Sequence, residues 1–176
     1  MSTGRPPARL AADLRVGAGL AGVFWFGNVG AHHYAQEFWA WMAATWGFGS
    51  LQRGEAALFV PLLALGLTWV GRRLGLRTAL IVLLANVVAA ANFVTNAEAV
   101  HLVQYAAVYF LWARVLNPRQ AFYLTVFLGF CDEAVQWAWL DTVRSARFID
   151  LKDCGLNLVG ALNGWAVSRA WASPRS

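Results

Sequence analysis

Long apolar stretches recur along this chain and are separated by short polar ones. A helix needs about 20 mostly apolar residues to cross a bilayer, with roughly 17 to 25 tolerated. Pro61, early in the second stretch, predicts a kink or a late helix start. Only residues 95–97 separate the third stretch from the fourth, which predicts a tight hairpin. The stretches predict six transmembrane helices, at residues 15–35, 55–71, 78–96, 98–116, 120–140 and 154–171.

An aromatic segment at residues 38–51 lies between the first two stretches and is too short to cross a bilayer. Tryptophan is enriched where a protein meets the bilayer surface. We therefore expect an interfacial or re-entrant helix in this segment. Its large aromatic side chains are Trp39, Trp41, Trp46 and Phe48.

The predicted fold class is all-α, a polytopic transmembrane bundle of about six helices. One membrane-embedded domain is expected at residues 15–171, with a cytoplasmic tail at 1–14 and a second tail at 172–176. The first apolar stretch follows several arginines, as the core of a signal peptide does. No small-x-small cleavage site ends it, so we expect a retained helix.

Composition supports a membrane protein. Of 176 residues, 59% are hydrophobic and 13% are charged, whereas soluble domains carry about a quarter charged residues. The net charge of +5 comes from arginines scattered at the ends of apolar stretches. That distribution is typical of topology signals and argues against a nucleic-acid partner. Cys131 and Cys154 have no metal-site spacing, so we interpret them as small buried side chains, with a bridge between adjacent helices as the alternative.

The distribution of basic residues predicts an orientation. If the N-terminus is cytoplasmic, four basic residues fall outside: Arg53, Arg144, Arg147 and Lys152. The other ten fall inside, which predicts that both termini are cytoplasmic. These ten are Arg5, Arg9, Arg15, Arg72, Arg73, Arg77, Arg114, Arg119, Arg169 and Arg175.

Polar residues interrupt the outer halves of the last three predicted helices. Most recur three or four residues apart and so share a face, at about 3.6 residues per turn. The orientation above brings the three faces to one depth on one side. They carry Glu98, His101 and Tyr105 in the fourth helix, Glu133 and Gln136 in the fifth, and Asp150, Asp153, Asn157, Gly160 and Gly164 in the sixth.

Three further features border this polar region. Asp132 adjoins Glu133 but points elsewhere, so we expect it at the periphery, in a salt bridge or a contact with an N–H group. The small-xxx-small pair Gly160 and Gly164 allows a neighbouring helix to approach closely, which would hold Asp153 and Asn157 against the fourth or fifth helix. His32 and His33 lie at the outer end of the first helix, and their 100° separation lets at most one join the site.

The motifs of this region resemble the VanZ-like family over roughly residues 95–165. Order and spacing match, although Gln104 replaces a common Glu and Ser145-Ala146 replaces a usual Pro-Gly. The resemblance implies a small multi-helix protein of the bacterial inner or plasma membrane and, through the founding member, an effect on susceptibility to the glycopeptide teicoplanin. The matching motifs are Glu98-Ala-Val-His101-Leu-Val-Gln-Tyr105, Asp132-Glu133-Ala-Val-Gln136, Arg147-Phe-Ile-Asp150-Leu-Lys-Asp153 and Asn157-Leu-Val-Gly160.

One interpretation of the polar residues is a membrane-embedded site that binds or acts on a lipid-linked or cell-envelope ligand. Arg147 would clamp a phosphate or carboxylate, and a divalent cation held by carboxylates is an option. Glu98, His101, Glu133 and Asp153 are the candidate catalytic residues. Tyr105, Gln136, Arg147, Asp150 and Asn157 are the candidate ligand-binding residues, with Gly160 and Gly164 packing the helices.

The second interpretation is structural. The same charges would pin three helices together in a scaffold or a module that binds a partner protein, without any chemistry. Transport of a small ion or solute is a third option. The sequence does not decide whether the chain is an enzyme.

Overall fold

The computed structural model is helical in the residues that it describes, which are 11, 15–19, 22, 37–92, 98–135, 138 and 151–173. No strand occurs among these residues, so the predicted all-α class is confirmed for this part of the chain. Residues 11, 15–19 and 22 are helical, and six further helical segments, here named α1 to α6, are described over 37–46, Phe48–Leu74, Leu76–Ala91, Ala99–Ala113, Pro118–Val135 and Leu151–Ala172.

The helical conformation is interrupted at Gly47, which lies inside the predicted aromatic segment. Gly47 has φ of 79°, a left-handed value that residues with a Cβ rarely adopt. Helix α1 ends just before it, and Phe48 already belongs to α2. The second predicted helix thus begins at 48 rather than 55 and continues through Pro61, so the expected late start at that proline is wrong.

The other helices lie close to their predicted positions. Helix α3 ends at Ala91 rather than at 96, and α5 is described up to Val135 rather than 140. Residues 93–97, which carry the predicted hairpin, lie outside the described residues, as does most of the first predicted helix.

Helix α2 is long and apolar enough to cross a membrane. Among the described residues, no other helix meets both conditions. Its 27 residues extend for about 40 Å, more than the hydrocarbon core of a bilayer. Only Val70 is buried among the residues described in α2. Helices α3 and α4 are also apolar but have 16 and 15 residues.

Helix α6 lies at the centre of the packing, with α4 as its main neighbour. A Cβ atom added to Gly160 would stand 2.7 Å from the carbonyl oxygen of His101 in α4. One added to Gly164, a turn later, would stand 2.8 Å from the carbonyl oxygen of Ala106. The order of contacts shows that α4 and α6 run parallel, and the two glycines let their backbones meet.

Helices α2 and α3 also pack against α6, along both its N-terminal and its C-terminal half. Asn86 in α3 and Asn163 in α6 exchange two hydrogen bonds, each Nδ2 donating to the other Oδ1 at 2.8 and 3.0 Å. At the C-terminal ends of α2 and α6, Arg73 Nη1 donates to the Ser173 carbonyl at 3.1 Å. The α2–α3 turn passes through Gly75, whose φ of 88° again requires a residue without a Cβ.

Charges separate between the two ends of this arrangement. Helices α2, α4 and α6 finish at the end where α3 and α5 begin; we call this the basic end and the opposite one the acidic end. The described acidic residues lie in the acidic half: Glu37, Glu55, Glu98, Asp132, Glu133 and Asp153. The basic end carries Arg72, Arg73, Arg77, Arg114, Arg119 and Arg169.

We expect Gly160→Ala to destabilise the protein by about 1–3 kcal/mol, because the added methyl group has no room against the α4 backbone. Gly155→Ala is the matched control in the same helix, since Gly155 is exposed and its added Cβ meets no atom within 4 Å. Thermal unfolding of the purified proteins measures both. Equal melting temperatures for the two variants would contradict close packing at Gly160.

Candidate functional site

One face of α4 binds three different partners near the acidic end. Glu98, His101 and Tyr105 follow one another on this face, as their spacing predicts. Each side chain contacts a residue of another helix, so the face joins α4 to both α5 and α6. We call this set the polar column; it consists of Glu98, His101, Tyr105, Asp132, Lys152 and Asn157.

The outermost contact of the polar column is an ion pair. Lys152 Nζ lies 2.8 Å from Glu98 Oε1 and 3.9 Å from Asp153 Oδ1. The side chains of Lys152 and Glu98 are 26% and 18% exposed, so the pair lies at the mouth of the column rather than in its interior. In the sequence Lys152 indicates only topology, because its position gives no sign of its contact with two candidate site residues.

The middle contact fixes the orientation of His101. Asn157 is buried, and its Nδ2 donates to the Gly129 carbonyl of α5 at 3.3 Å. A carbonyl oxygen accepts only, so Asn157 must turn its Oδ1 toward the histidine. That oxygen lies 2.8 Å from His101 Nδ1, which therefore carries a proton and donates it. In a neutral ring, Nε2 then holds the lone pair for any further partner.

The innermost contact is a hydrogen bond between Tyr105 and Asp132. The hydroxyl of Tyr105 donates to Asp132 Oδ2 at 2.8 Å, and Asp132 has no exposed surface. The expectation that Asp132 lies at the periphery is therefore wrong. A sequence signal existed: Ala121, Thr125 and Gly129 precede it at intervals of four, four and three residues, and all are buried.

Glu133 is also buried, with 4% of its surface exposed, and it lies within electrostatic range of Tyr105. Two adjacent carboxyl groups are therefore enclosed by α5 and its neighbours. Burial of such groups in an apolar bundle requires partners, because an unpaired charge costs several kcal/mol in that setting.

Several of the candidate residues lie outside the part of the chain that the structure describes. Gln136, Arg147 and Asp150 lie outside the described residues, as do His32 and His33. No group of three or more His, Cys, Asp or Glu side chains suited to a metal ion occurs among the residues that the structure describes. Cys131 and Cys154 are half-buried in α5 and α6, and no disulfide joins them. The Asn86–Asn163 pair was not foreseen, because a single asparagine in an apolar helix gives no signal of its partner.

No protein-family model, curated protein or solved structure matches the chain. A function therefore has to follow from the chemistry of specific residues rather than from the fold.

Tyr105→Phe removes the donor to Asp132 while it preserves the ring. We expect a loss of about 1–3 kcal/mol of stability, because a buried carboxyl group loses a hydrogen bond. Tyr123→Phe is the control, since Tyr123 in α5 is 70% exposed. Chemical or thermal unfolding compares the two, and equal stability of both variants with the wild type would show that the Tyr105–Asp132 bond contributes nothing.

Proposed function

We propose that this chain is a polytopic integral membrane protein that binds the polar head of a lipid-linked or cell-envelope ligand. The site is the polar column together with Glu133 and Asp153, open at the acidic end. The observation that supports the proposal is the Asn157–His101 hydrogen bond, which occupies Nδ1, and we assign the other ring nitrogen, Nε2, to the ligand.

Membrane insertion is supported by the apolar residues that face outward. Leu58, Leu62 and Leu65 of α2 are 59–68% exposed, and Leu84 and Val87 of α3 are 64% and 53% exposed. Contiguous apolar surface of this extent is stable in lipid and costly in water. Helices α3 and α4 are shorter than the bilayer core, and their flanking residues would complete the crossing by local thinning or snorkelling.

Charge separation supports an orientation. Six arginines at one end match the cytoplasmic side of a membrane protein. The acidic end then faces outward, with the polar column at the depth of the outer leaflet and both termini in the cytoplasm. A bacterial inner or plasma membrane and membership of the VanZ-like family follow from the motif resemblance and belong to this proposal.

The polar column offers complementary groups for an anionic head. Lys152 supplies a positive charge at the mouth, and its partners Glu98 and Asp153 hold it there. A phosphate or carboxylate that displaced one of these carboxylates would meet the ammonium group, and a hydroxyl group of the same ligand would donate to His101 Nε2. With its lone pair on Nε2, His101 would also accept a proton from a ligand hydroxyl or a water molecule, which is the route to acid–base chemistry.

A second function, a non-catalytic scaffold, is favoured by a different observation. Each contact of the polar column joins two helices, which is what a purely structural network does. In that case the column would hold α4, α5 and α6 in one arrangement, and a partner protein would recognise their surface.

Two substitutions of His101 separate these functions. Asparagine places an amide nitrogen where Nδ1 stands, whereas glutamine places one near Nε2. We expect His101→Asn to keep the donor to Asn157 and the melting temperature, and to lose the ligand. We expect His101→Gln to lose stability. Native mass spectrometry of the protein purified from membranes detects the retained ligand, and unfolding in the same detergent measures stability.

The same variants can be tested in a teicoplanin-susceptible host. If the family resemblance extends to function, the wild-type chain shifts the inhibitory concentration of teicoplanin and His101→Asn does not. Retention of ligand and of this shift by His101→Asn would contradict a binding role and leave the scaffold function.

Orientation is tested by cysteine labelling in a background without Cys131 and Cys154. Arg53→Cys and Arg77→Cys place single thiols at the acidic and basic ends, at exposed positions of α2 and α3. We expect a membrane-impermeant maleimide to label the first in intact cells and the second only after permeabilisation. The reverse pattern would contradict the orientation, and labelling of both in intact cells would contradict crossing of the bilayer by α2.

A further inference from the structure

The basic end has more positive charge than its helices require. Arginine in the last turn of a helix is stabilised by the helix dipole, and Arg72, Arg73 and Arg169 occupy such positions. Arg77 and Arg119 instead lie in the first turns of α3 and α5, where the same dipole disfavours a cation. An external anion would offset that cost.

Three of these arginines, Arg72, Arg73 and Arg77, lie in one corner, at the α2–α3 turn beside the end of α6. Arg73 donates to the Ser173 carbonyl, and the Ser173 N–H donates to the Arg169 carbonyl at 3.1 Å. Arg72 and Arg77 flank the turn on either side and are exposed. We call Arg72, Arg73 and Arg77 the basic corner.

Exposed apolar side chains surround the basic corner. Leu76, next to Arg77, is 71% exposed, and Trp171 is 80% exposed. Trp69 and Trp171 meet edge to face, with ring centroids 6.2 Å apart. Arginine beside exposed tryptophan and leucine matches the boundary between headgroups and acyl chains. A soluble anion or a nucleic acid would gain nothing from the apolar part.

We propose that the basic corner binds the headgroup phosphate of an anionic phospholipid of the cytoplasmic leaflet. Arg72 and Arg77 would donate to the phosphate, and Trp171 and Leu76 would contact the start of the acyl chains. This inference rests on the membrane insertion in the proposed function. It does not depend on the polar column, which lies at the other end.

Lipid titration of the purified full chain, followed by native mass spectrometry, tests the inference. The probes are phosphatidylglycerol, phosphatidylcholine and inorganic phosphate, each added separately to the protein in a neutral detergent. We expect the wild type to prefer phosphatidylglycerol over phosphatidylcholine. Arg72→Gln and Arg77→Gln should each weaken binding of phosphatidylglycerol about fivefold, and the double variant should remove the preference.

Arg53→Gln is the matched control, because Arg53 is an exposed arginine at the acidic end. It should leave the preference unchanged, and circular dichroism checks that all variants are folded. Equal affinity of the wild type for the two lipids would overturn the inference, as would an Arg53→Gln loss equal to that of the other variants. Displacement of phosphatidylglycerol by millimolar inorganic phosphate would show that the basic corner binds a soluble anion, and it would contradict the proposal that its ligand is a lipid.

Failure of the basic-corner proposal can be distinguished from failure of the proposed function. Absence of lipid preference in a chain whose thiols label as expected would reject the basic corner alone. Failure of the labelling test would reject membrane insertion and both proposals with it.

Discussion

The contact between α4 and α6 is the constraint on which the rest of the structure depends. Gly160 and Gly164 remove the side chains that would otherwise separate the two backbones, and the helices meet carbonyl against α-carbon. This approach sets the depth of Asn157, one turn before Gly160, and places it within reach of both His101 and the Gly129 carbonyl. A wider separation would exceed hydrogen-bonding distance for these bonds. The cluster of polar side chains is thus a consequence of two glycines as much as of its own chemistry.

Helix positions could be predicted from the sequence because apolar length and spacing are local properties of a chain. The break at Gly47 could not, since a backbone angle leaves no trace in hydropathy. Spacing likewise predicted that Glu98, His101 and Tyr105 share a face, but it did not give their partners. Partners depend on how three helices are rotated against one another. Asp132 was misplaced for this reason: beside Glu133 it looked peripheral, whereas the small residues that precede it mark a buried face.

The polar contacts have different physical consequences according to depth. The Lys152–Glu98 pair is partly exposed, so its contribution to stability is modest and its groups stay accessible to a ligand. The Asn86–Asn163 pair satisfies both amides internally, as helix association in an apolar environment favours. The bond to Asp132 is fully buried, where loss of one partner is costly. Binding at the mouth and rigidity below it are therefore compatible in one site.

The protonated nitrogen of His101 is the most direct measure of the central claim, that α6 orients a histidine for a ligand. Nitrogen-15 NMR of protein labelled at histidine and reconstituted in lipid reports it, with His101 assigned by the spectrum of His101→Asn. At a pH where the ring is neutral, we expect a proton on Nδ1 and a lone pair on Nε2, and loss of this preference in Asn157→Ala. A neutral ring with its proton on Nε2 in the wild type would contradict the orientation of His101 by Asn157.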